Sequence, residues 1–147
     1  DKCSCNFRMS VYLLFHFYSG IVFWNGVNMK YQYFETLRKN SDFRSVYNKK
    51  KSFGDRYLVM YIKENGTDTI RLGVSVSKKV GNSIVRHRLA RLIRESFRLE
   101  SHRITRGLDI VVVARTSLSD KGYKETHQSM VHLCKHFGIY NDEENLT

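Results

Sequence analysis

The segment from Ser77 to Arg98 concentrates positive charge. It reads SKKVGNSIVRHRLARLIRESFR, and Glu95 is its only acidic residue. Its lysines and arginines are Lys78, Lys79, Arg86, Arg88, Arg91, Arg94 and Arg98. Guanidinium groups donate paired hydrogen bonds to phosphate oxygens, and a neutralised phosphate backbone releases its counterions. These residue types therefore indicate the binding of a polyanion.

The spacing of these residues predicts an amphipathic helix from Ser83 to Leu99, started by Gly81-Asn82-Ser83. One face is apolar and is expected to pack on a sheet: Val85, Leu89, Leu92 and Ser96, with Ile93 and Phe97 more peripheral. The opposite face is cationic and comprises His87, Arg91, Arg94 and Arg98. Arg86 and Arg88 lie in the first turn, where the helix dipole disfavours cations by about 0.3–1 kcal/mol each. Because this arrangement opposes helix stability, it favours phosphate binding over a merely solvated face.

Three aromatic residues, Phe43, Tyr47 and Tyr61, are candidates for a second binding surface. Their spacing allows them to share one groove beside the basic helix. Stacking of an unpaired base on an exposed ring contributes about 1–3 kcal/mol, which suits single-stranded nucleic acid. The same spacing is equally typical of aromatic residues in a core, so the pattern leaves both interpretations open.

The histidines and cysteines give little support for metal or nucleophilic chemistry. His132 and His136 have i,i+4 spacing, but no glutamate follows in the manner of a zinc protease, so we expect no metal site there. Cys3 and Cys5 lie close together and Cys134 is isolated, which indicates neither a disulfide framework nor a zinc site. A protein-only nuclease that uses one of the histidines is therefore a disfavoured alternative.

Composition narrows the class of protein. The chain has 147 residues, enough for one domain with a core, and its 41% hydrophobic content argues against general disorder. Lysine and arginine number 25 against 14 acidic residues, a formal net charge of +11. This excess favours an anionic partner, with nucleic acid first and an acidic membrane surface second. The odd cysteine count fits a reducing cytoplasm, which is the compartment we expect.

The first 28 residues differ in pattern from the rest of the chain. Their apolar run from Val11 to Trp24 is shorter than the about 20 residues that cross a bilayer, and no signal-peptide cleavage pattern follows it. We therefore expect residues 1–28 to be an extension outside the fold. We expect residues 29–140 to form the domain and residues 141–147 an acidic tail. A membrane anchor is the less favoured alternative.

The remaining pattern predicts a small α+β domain with the order α-β-β-α-β-α. A short helix follows the capping residues Asn40-Ser41-Asp42. Strands are predicted at Tyr57–Lys63 and Ile70–Ser77, with an extra strand where Gly73 divides the second one. Because Asn65-Gly66 lies between these strands, we expect an antiparallel hairpin.

Two further elements complete this order. The continuous apolar run Leu108–Ala114 predicts a central strand that is buried on both faces. The apolar spacing from Ser119 to Phe137 predicts a final amphipathic helix.

The stretch SVSKKVGNSIVRHRLARLIRESFR, residues 75–98, closely resembles the signature of the bacterial ribonuclease P protein component. In that family a strand ending in Ser-x-Lys-Lys leads through Gly-Asn into a helix with an Arg-Asn-Arg-x-x-Arg-type motif. The resemblance extends from about Phe34 to Ile139, where LRKNSDFRSVY is similar to the first helix and GLDIVVVAR to the later strand. It implies an α/β sandwich of the ribosomal S5 domain 2-like type, with a left-handed βαβ crossover against the usual rule.

The resemblance also implies a function. In this family a large RNA subunit holds the Mg²⁺ ions and removes the 5′ leader from precursor tRNA. The small basic protein contacts both RNAs and supplies no catalytic residue. We accordingly expect a protein subunit of ribonuclease P, with Mg²⁺ bound mainly by RNA, no membrane association and no obligate protein partner.

The family's motif carries over to specific residues of this chain. Its RNA-subunit contacts fall on Arg86, Arg88, Arg91 and Arg94, with Lys78 and Lys79 leading in and Arg98 on the same stripe. Its leader-binding cleft falls on Phe43, Tyr47 and Tyr61. His87 stands where Asn is usual and Ala90 where Lys is usual, so contacts at those two positions are not transferred. The alternative is a general RNA-binding protein of ribosomal or chaperone type, without a role in tRNA cleavage.

Overall fold

The computed structural model describes the backbone of residues 21–24, 27–30 and 34–142, and the side chains of residues 34–142. The chain divides into two units, Asp1–Gln32 and Tyr33–Thr147. In the first unit, β1 (Ile21–Trp24) pairs antiparallel with β2 (Val27–Lys30).

The predictions for the two ends of the chain fall mostly outside these described residues. Of the apolar run that ends at Trp24, only its last four residues are described, and they form β1. The domain boundaries and the acidic tail stay predictions. Within the described part of the chain, no helix has both the length and the apolar character to cross a membrane.

The second unit has the α+β composition that the sequence predicts. Its strands are β3 (Phe34–Thr36), β4 (Ser52–Gly54), β5 (Leu58–Glu64), β6 (Ile70–Ser75) and β7 (Leu108–Ala114). Its helices are α1 (Asn40–Asn48), α2 (Ser83–Glu100) and α3 (Tyr123–His136). Short 3₁₀ turns occupy Ser101–Arg103 and Thr116–Leu118.

The five strands of this unit form one mixed sheet in the order β3-β6-β7-β5-β4. β6 runs parallel to both β3 and β7, whereas β5 runs antiparallel to β7 and β4. The helix α2 connects the adjacent parallel strands β6 and β7, which makes a βαβ crossover. The left-handed sense of that crossover stays a prediction.

The central position of β7 is confirmed, but the predicted hairpin between β5 and β6 is wrong. β7 is buried along both faces, so it lies in the middle of the sheet and both β5 and β6 pair with it rather than with each other. The turn residues bond to the start of β7 instead. The Asn65 N–H donates to the Gly107 carbonyl at 3.0 Å, and the Gly107 N–H donates to the Thr69 carbonyl at 3.2 Å.

The two faces of the sheet carry cores of unequal size. The larger core lies under α2 and α3 and includes Leu58, Met60, Ile62, Leu89, Ile93, Phe97, Ile110, Val112, Met130 and Leu133. The smaller core lies under α1 and comprises Leu37, Val46 and Val111. Because side chains alternate along a strand, β5 and β7 supply both cores.

The buried face of α2 is rotated from the one that the sequence predicts. Leu89 and Ser96 are buried as predicted, but Ile93 and Phe97 are fully buried and Leu92 is half-buried. The buried stripe is thus centred closer to Ile93 than the sequence suggested. The cationic face opposite is unaffected, since Arg91 and Arg94 remain exposed.

Three further details of the sequence-based prediction are wrong. The cap of α1 is Lys39, whose side chain makes no capping hydrogen bond, and Asp42 lies in the first turn. Gly73 does not divide β6; the additional strands are β3 and β4 at the sheet edges. α3 begins at Tyr123, with Gly122 as its cap, and not at Ser119.

Glu100 joins α2 to α3 and to the C-terminal segment. Its carboxylate accepts a hydrogen bond from the Tyr140 hydroxyl at 2.7 Å and lies 2.8 Å from Nε2 of His127. Burial alone raises the pKa of the Glu100 carboxyl, but the hydrogen bonds from Tyr140 and His127 outweigh it and the pKa is lowered. The ionised carboxylate therefore stabilises the fold.

We predict that the free energy of unfolding decreases less at acid pH in the Glu100→Gln variant than in the wild type. A carboxyl whose pKa is lower in the folded state stabilises above its unfolded pKa of about 4.3, and the contribution disappears as pH falls through the folded pKa. Urea unfolding at a series of pH values should show a smaller loss of stability in acid for Glu100→Gln than for the wild type. Glu64→Gln, at an exposed glutamate, is the control and should retain the loss. Parallel profiles for wild type and Glu100→Gln would contradict the assignment.

Candidate nucleic-acid interface

The N-terminal end of α2 places basic side chains at one end of the sheet. β6 ends at Ser75, and the following turn exposes Lys78 and Lys79. Asn82 then caps the helix, its Oδ1 accepting the Val85 N–H at 3.0 Å, as the Gly-Asn-Ser sequence predicts. The turn and the cap fix where the cationic stripe of α2 begins.

The cationic stripe is displayed toward solvent along α2. His87, Arg88, Arg91 and Arg94 are exposed, and Arg86 and Arg98 are half-buried. Ile84 is 77% exposed in the first turn, which is unusual for a large apolar side chain. We call the predicted set of Lys78, Lys79, Arg86, Arg88, Arg91, Arg94 and Arg98 the basic surface.

Arg88 and Arg98 are members of the basic surface that contact other groups of the protein. Arg88 donates to the backbone carbonyls of Ser119 at 2.6 Å and Lys121 at 2.8 Å, which joins α2 to the loop before α3. Carbonyl dipoles orient a guanidinium without cancelling its charge. Arg98 pairs with Glu95 at 2.6 Å, so this acid neutralises the last arginine of the stripe.

Arg86 is different from its neighbours. Its Nε is buried and finds no hydrogen-bond partner among the described residues. A buried donor without a partner costs about 1–3 kcal/mol, so an acceptor supplied from outside would stabilise this side chain.

The three predicted aromatic residues come together on the opposite face of the sheet. The rings of Tyr47 and Tyr61 meet edge to face with their centroids 4.8 Å apart. Phe43 lies against Gly73, where an added Cβ would stand 2.7 Å from the Phe43 ring. All three rings are half-buried against the small core, so they serve as packing residues and also present an accessible edge. We call this arrangement the aromatic groove.

The groove opens toward the same end of the sheet as Lys78 and Lys79. Gly73, Val111 and Tyr61 are paired across three neighbouring strands. The next row on the same face of the sheet consists of Ser75, Val113 and Val59, which are all half-buried. Burial raises the pKa of the Tyr47 hydroxyl, against an opposing hydrogen bond with Ser75. The hydroxyl is therefore neutral and lies beside the strand that leads to the basic turn.

Charged contacts fix α1 over this face. Arg71 donates from Nε to Oδ1 of Asp109 at 2.7 Å, and its NH1 lies 3.7 Å from Oδ2 of Asp42 on α1. Lys63 donates to the hydroxyl of Ser45, also on α1. The side chain of Asp109 is only 3% exposed and also accepts from Asn65 at 2.9 Å. Sequence reasoning missed these contacts because they join residues distant along the chain.

The histidines and Cys134 have structural surroundings. His132 lies 3.5 Å from the Asp55 carboxylate, and His136 stacks on Phe53 with ring centroids 3.4 Å apart. Burial raises the pKa of the Cys134 thiol to about 12, so it stays protonated at neutral pH. Among residues 34–142, no three His, Cys, Asp or Glu side chains are placed to hold a metal ion.

The fold and these two surfaces define a small basic α+β protein suited to contact nucleic acid. The family model described as Ribonuclease P matches residues 32–138. The chain belongs to the ribonuclease P protein family.

Individual relatives agree with this assignment. The ribonuclease P protein component of Lachnoclostridium phytofermentans is 49% identical over 110 residues, which cover 75% of this chain and 95% of that protein. That of Alkaliphilus oremlandii is 47% identical over 105 residues, covering 71% and 92%. The solved structure of the Staphylococcus aureus RNase P protein has a TM-score of 0.67 at 36% identity and covers 72% of this chain and 97% of that chain. The Thermotoga maritima RNase P protein has a TM-score of 0.64 at 34% identity, covering 69% and 96%.

We predict that Arg71→Met destabilises the fold far more than loss of an exposed ion pair. It leaves the buried Asp109 carboxylate without its cation, which costs about 3–5 kcal/mol. Arg106→Met is the matched control, because its pair with Asp68 is exposed and such pairs contribute about 0–1 kcal/mol. Chemical unfolding measures both. Arg71→Met combined with Asp109→Leu should recover much of the loss, and failure of that rescue would argue against an uncompensated charge.

Proposed function

We propose that this protein is the subunit of ribonuclease P that binds the catalytic RNA through the basic surface and the 5′ leader of precursor tRNA through the aromatic groove. The observation that carries this proposal is the placement of the two surfaces. The cationic helix and the aromatic groove lie on opposite faces of a single sheet, and both border the end of it where Ser75 leads to Lys78.

The basic surface has the charge pattern of a phosphate-binding element. The two carboxylates of α2 lie in its C-terminal half: Glu95 pairs with Arg98, and Glu100 is bonded to Tyr140 and His127. Arg94 forms no ion pair with any residue that the structure describes and is exposed. A folded RNA supplies closely spaced phosphates, and the release of their counterions drives association.

The aromatic groove suits a single strand because its rings are half-buried. The packed side of each ring holds it in a fixed orientation, and the free side is available to an unstacked base. Double-stranded RNA buries its bases and offers no such contact. A leader is the single-stranded part of a precursor tRNA, so the groove fits it.

The protein's contribution to the reaction would be electrostatic and positional. Its cations lower the repulsion between the RNA subunit and the tRNA, and the groove holds the leader extended. Mg²⁺ would be bound mainly by the RNA subunit and the substrate, where it supplies the nucleophile-activating chemistry of hydrolysis. We assign no catalytic residue to the protein and place its action in the cytoplasm.

The proposal is tested by adding the protein to a bacterial ribonuclease P RNA at low Mg²⁺. We expect faster cleavage of precursor tRNA than with the RNA alone, because the protein's positive charge replaces part of the cation requirement. If the protein binds the RNA without accelerating cleavage, it is a general RNA-binding protein and the proposal is wrong.

Two substitutions should separate the surfaces. Arg94→Ala should weaken binding to the RNA subunit and lower its salt slope by about one, the effect of one lost phosphate contact. Tyr61→Ala should reduce the preference for leader-bearing over mature tRNA by about 1–3 kcal/mol, the worth of one stacked base. Filter binding at several salt concentrations measures both quantities. Each variant serves as the other's control, and an identical defect in the two would refute the separation.

A further inference from the structure

A second cationic feature lies at the opposite end of the sheet from Lys78 and Lys79. A pocket of about 370 Å³ opens there between the end of β5, the start of β7 and the segment after α3. We call it the cationic pocket. Its cationic lining residues are Lys49, Lys51, Lys63 and Arg106.

The charge of this pocket is poorly balanced. Among the described residues that line it, Glu64 is the one carboxylate. Arg106 also pairs with Asp68 at 3.5 Å, but both side chains are mostly exposed, and such a pair is weak. Lys49 and Lys51 are exposed as well. A ligand with more than one negative charge would relieve the repulsion among these cations.

The backbone shapes the pocket for an extended occupant. Lys50 has a positive φ of 55°, and this turn lets Lys49 and Lys51 both line the pocket while Lys50 does not. Gly107 and Gly138 also line it, each with positive φ. An added Cβ at Gly138 would meet nothing within 4 Å, so the wall at that point is open. An open cationic pocket of this kind suits a chain that passes through it.

The cationic pocket continues the aromatic groove. Tyr61 and Lys63 are two residues apart on β5, so their side chains project from the same face about 7 Å apart. Lys49 directly follows α1, so the pocket also borders the end of the helix that carries Tyr47. The aromatic groove thus has cations at both ends, with Lys78 and Lys79 at one and the cationic pocket at the other.

We propose that the cationic pocket binds the phosphates of leader nucleotides that extend beyond the aromatic groove. This inference rests on the proposed function. The leader would enter beside Lys78, stack on the rings and leave past Lys63 toward Lys51 and Arg106. The pocket would then respond to the length of the leader and not to its bases, since lysine contacts phosphate as a point charge.

The test uses the assembled ribonucleoprotein and two precursor tRNAs. One has a leader just long enough to cover the aromatic groove, and the other has a leader several nucleotides longer. Lys51→Gln combined with Arg106→Gln should weaken binding of the long-leader substrate severalfold and leave the short-leader substrate unchanged. The salt slope for the long leader should fall by about 1.4, the value for two phosphate contacts to a single strand. Lys124→Gln, an exposed lysine on α3, is the control for a general loss of charge and should affect both substrates alike.

Each other outcome is decisive. Equal weakening of both substrates by the double substitution would assign the pocket to the RNA subunit or the tRNA body and overturn this inference. If the double substitution changes binding of neither substrate, the inference is overturned as well. The proposed function would still stand in that case if the wild-type protein prefers the longer leader. If the wild-type protein gives no preference for leader-bearing over mature tRNA, both the leader assignment and this inference fail.

Discussion

The burial of β7 on both faces is the constraint on which the rest of the structure depends. Its apolar residues Ile110 and Val112 fill the core under α2 and α3, and Val111 fills the core under α1. A strand with two apolar faces has to be covered on both sides and is most stable in the middle of a sheet. The basic helix and the aromatic groove consequently lie on opposite faces of one rigid sheet.

Several local contacts and the burial of one face allow α2 to carry its positive charge. Asn82 supplies a neutral cap where an acidic first turn is usual, and that leaves the positive end of the helix dipole uncompensated. Arg88 is oriented by two backbone carbonyls, and Arg98 is neutralised by Glu95. The helix itself is retained by its buried stripe, in which Leu89, Ile93 and Phe97 are completely removed from solvent. At about 1.5–3 kcal/mol for each such side chain, burial outweighs like-charge repulsion of a few tenths of a kcal/mol per neighbouring pair.

The sequence was informative where a single element determines the outcome. The cap at Asn82, the apolar run of β7 and the exposure of Arg91 and Arg94 each follow from neighbours along the chain. The prediction from sequence was wrong where two strands pair with the same neighbouring strand. Asn65-Gly66 has the composition of a hairpin turn, but β7 is buried along both faces and pairs with β5 on one side and β6 on the other.

The same distinction applies to the candidate site. Residue types and the family motif brought together the three rings of the aromatic groove, whereas the contacts that seat α1 above them were invisible to periodicity. Arg71 and Asp109 are 38 residues apart in the chain. Arg88 contacts carbonyls that lie 31 and 33 residues away in the chain. Because these acceptors belong to the backbone, no pattern of side-chain types predicts the contacts.

The contact between Phe43 and Gly73 sets the depth of the aromatic groove, because Gly73 has no side chain to hold the ring away. An added Cβ at Gly73 would stand 2.7 Å from the Phe43 ring, so any larger residue at this position would displace the ring. Under the proposed function, a strand in this groove is held through the planes of its bases and the charge of its backbone, so the contact does not depend on base sequence.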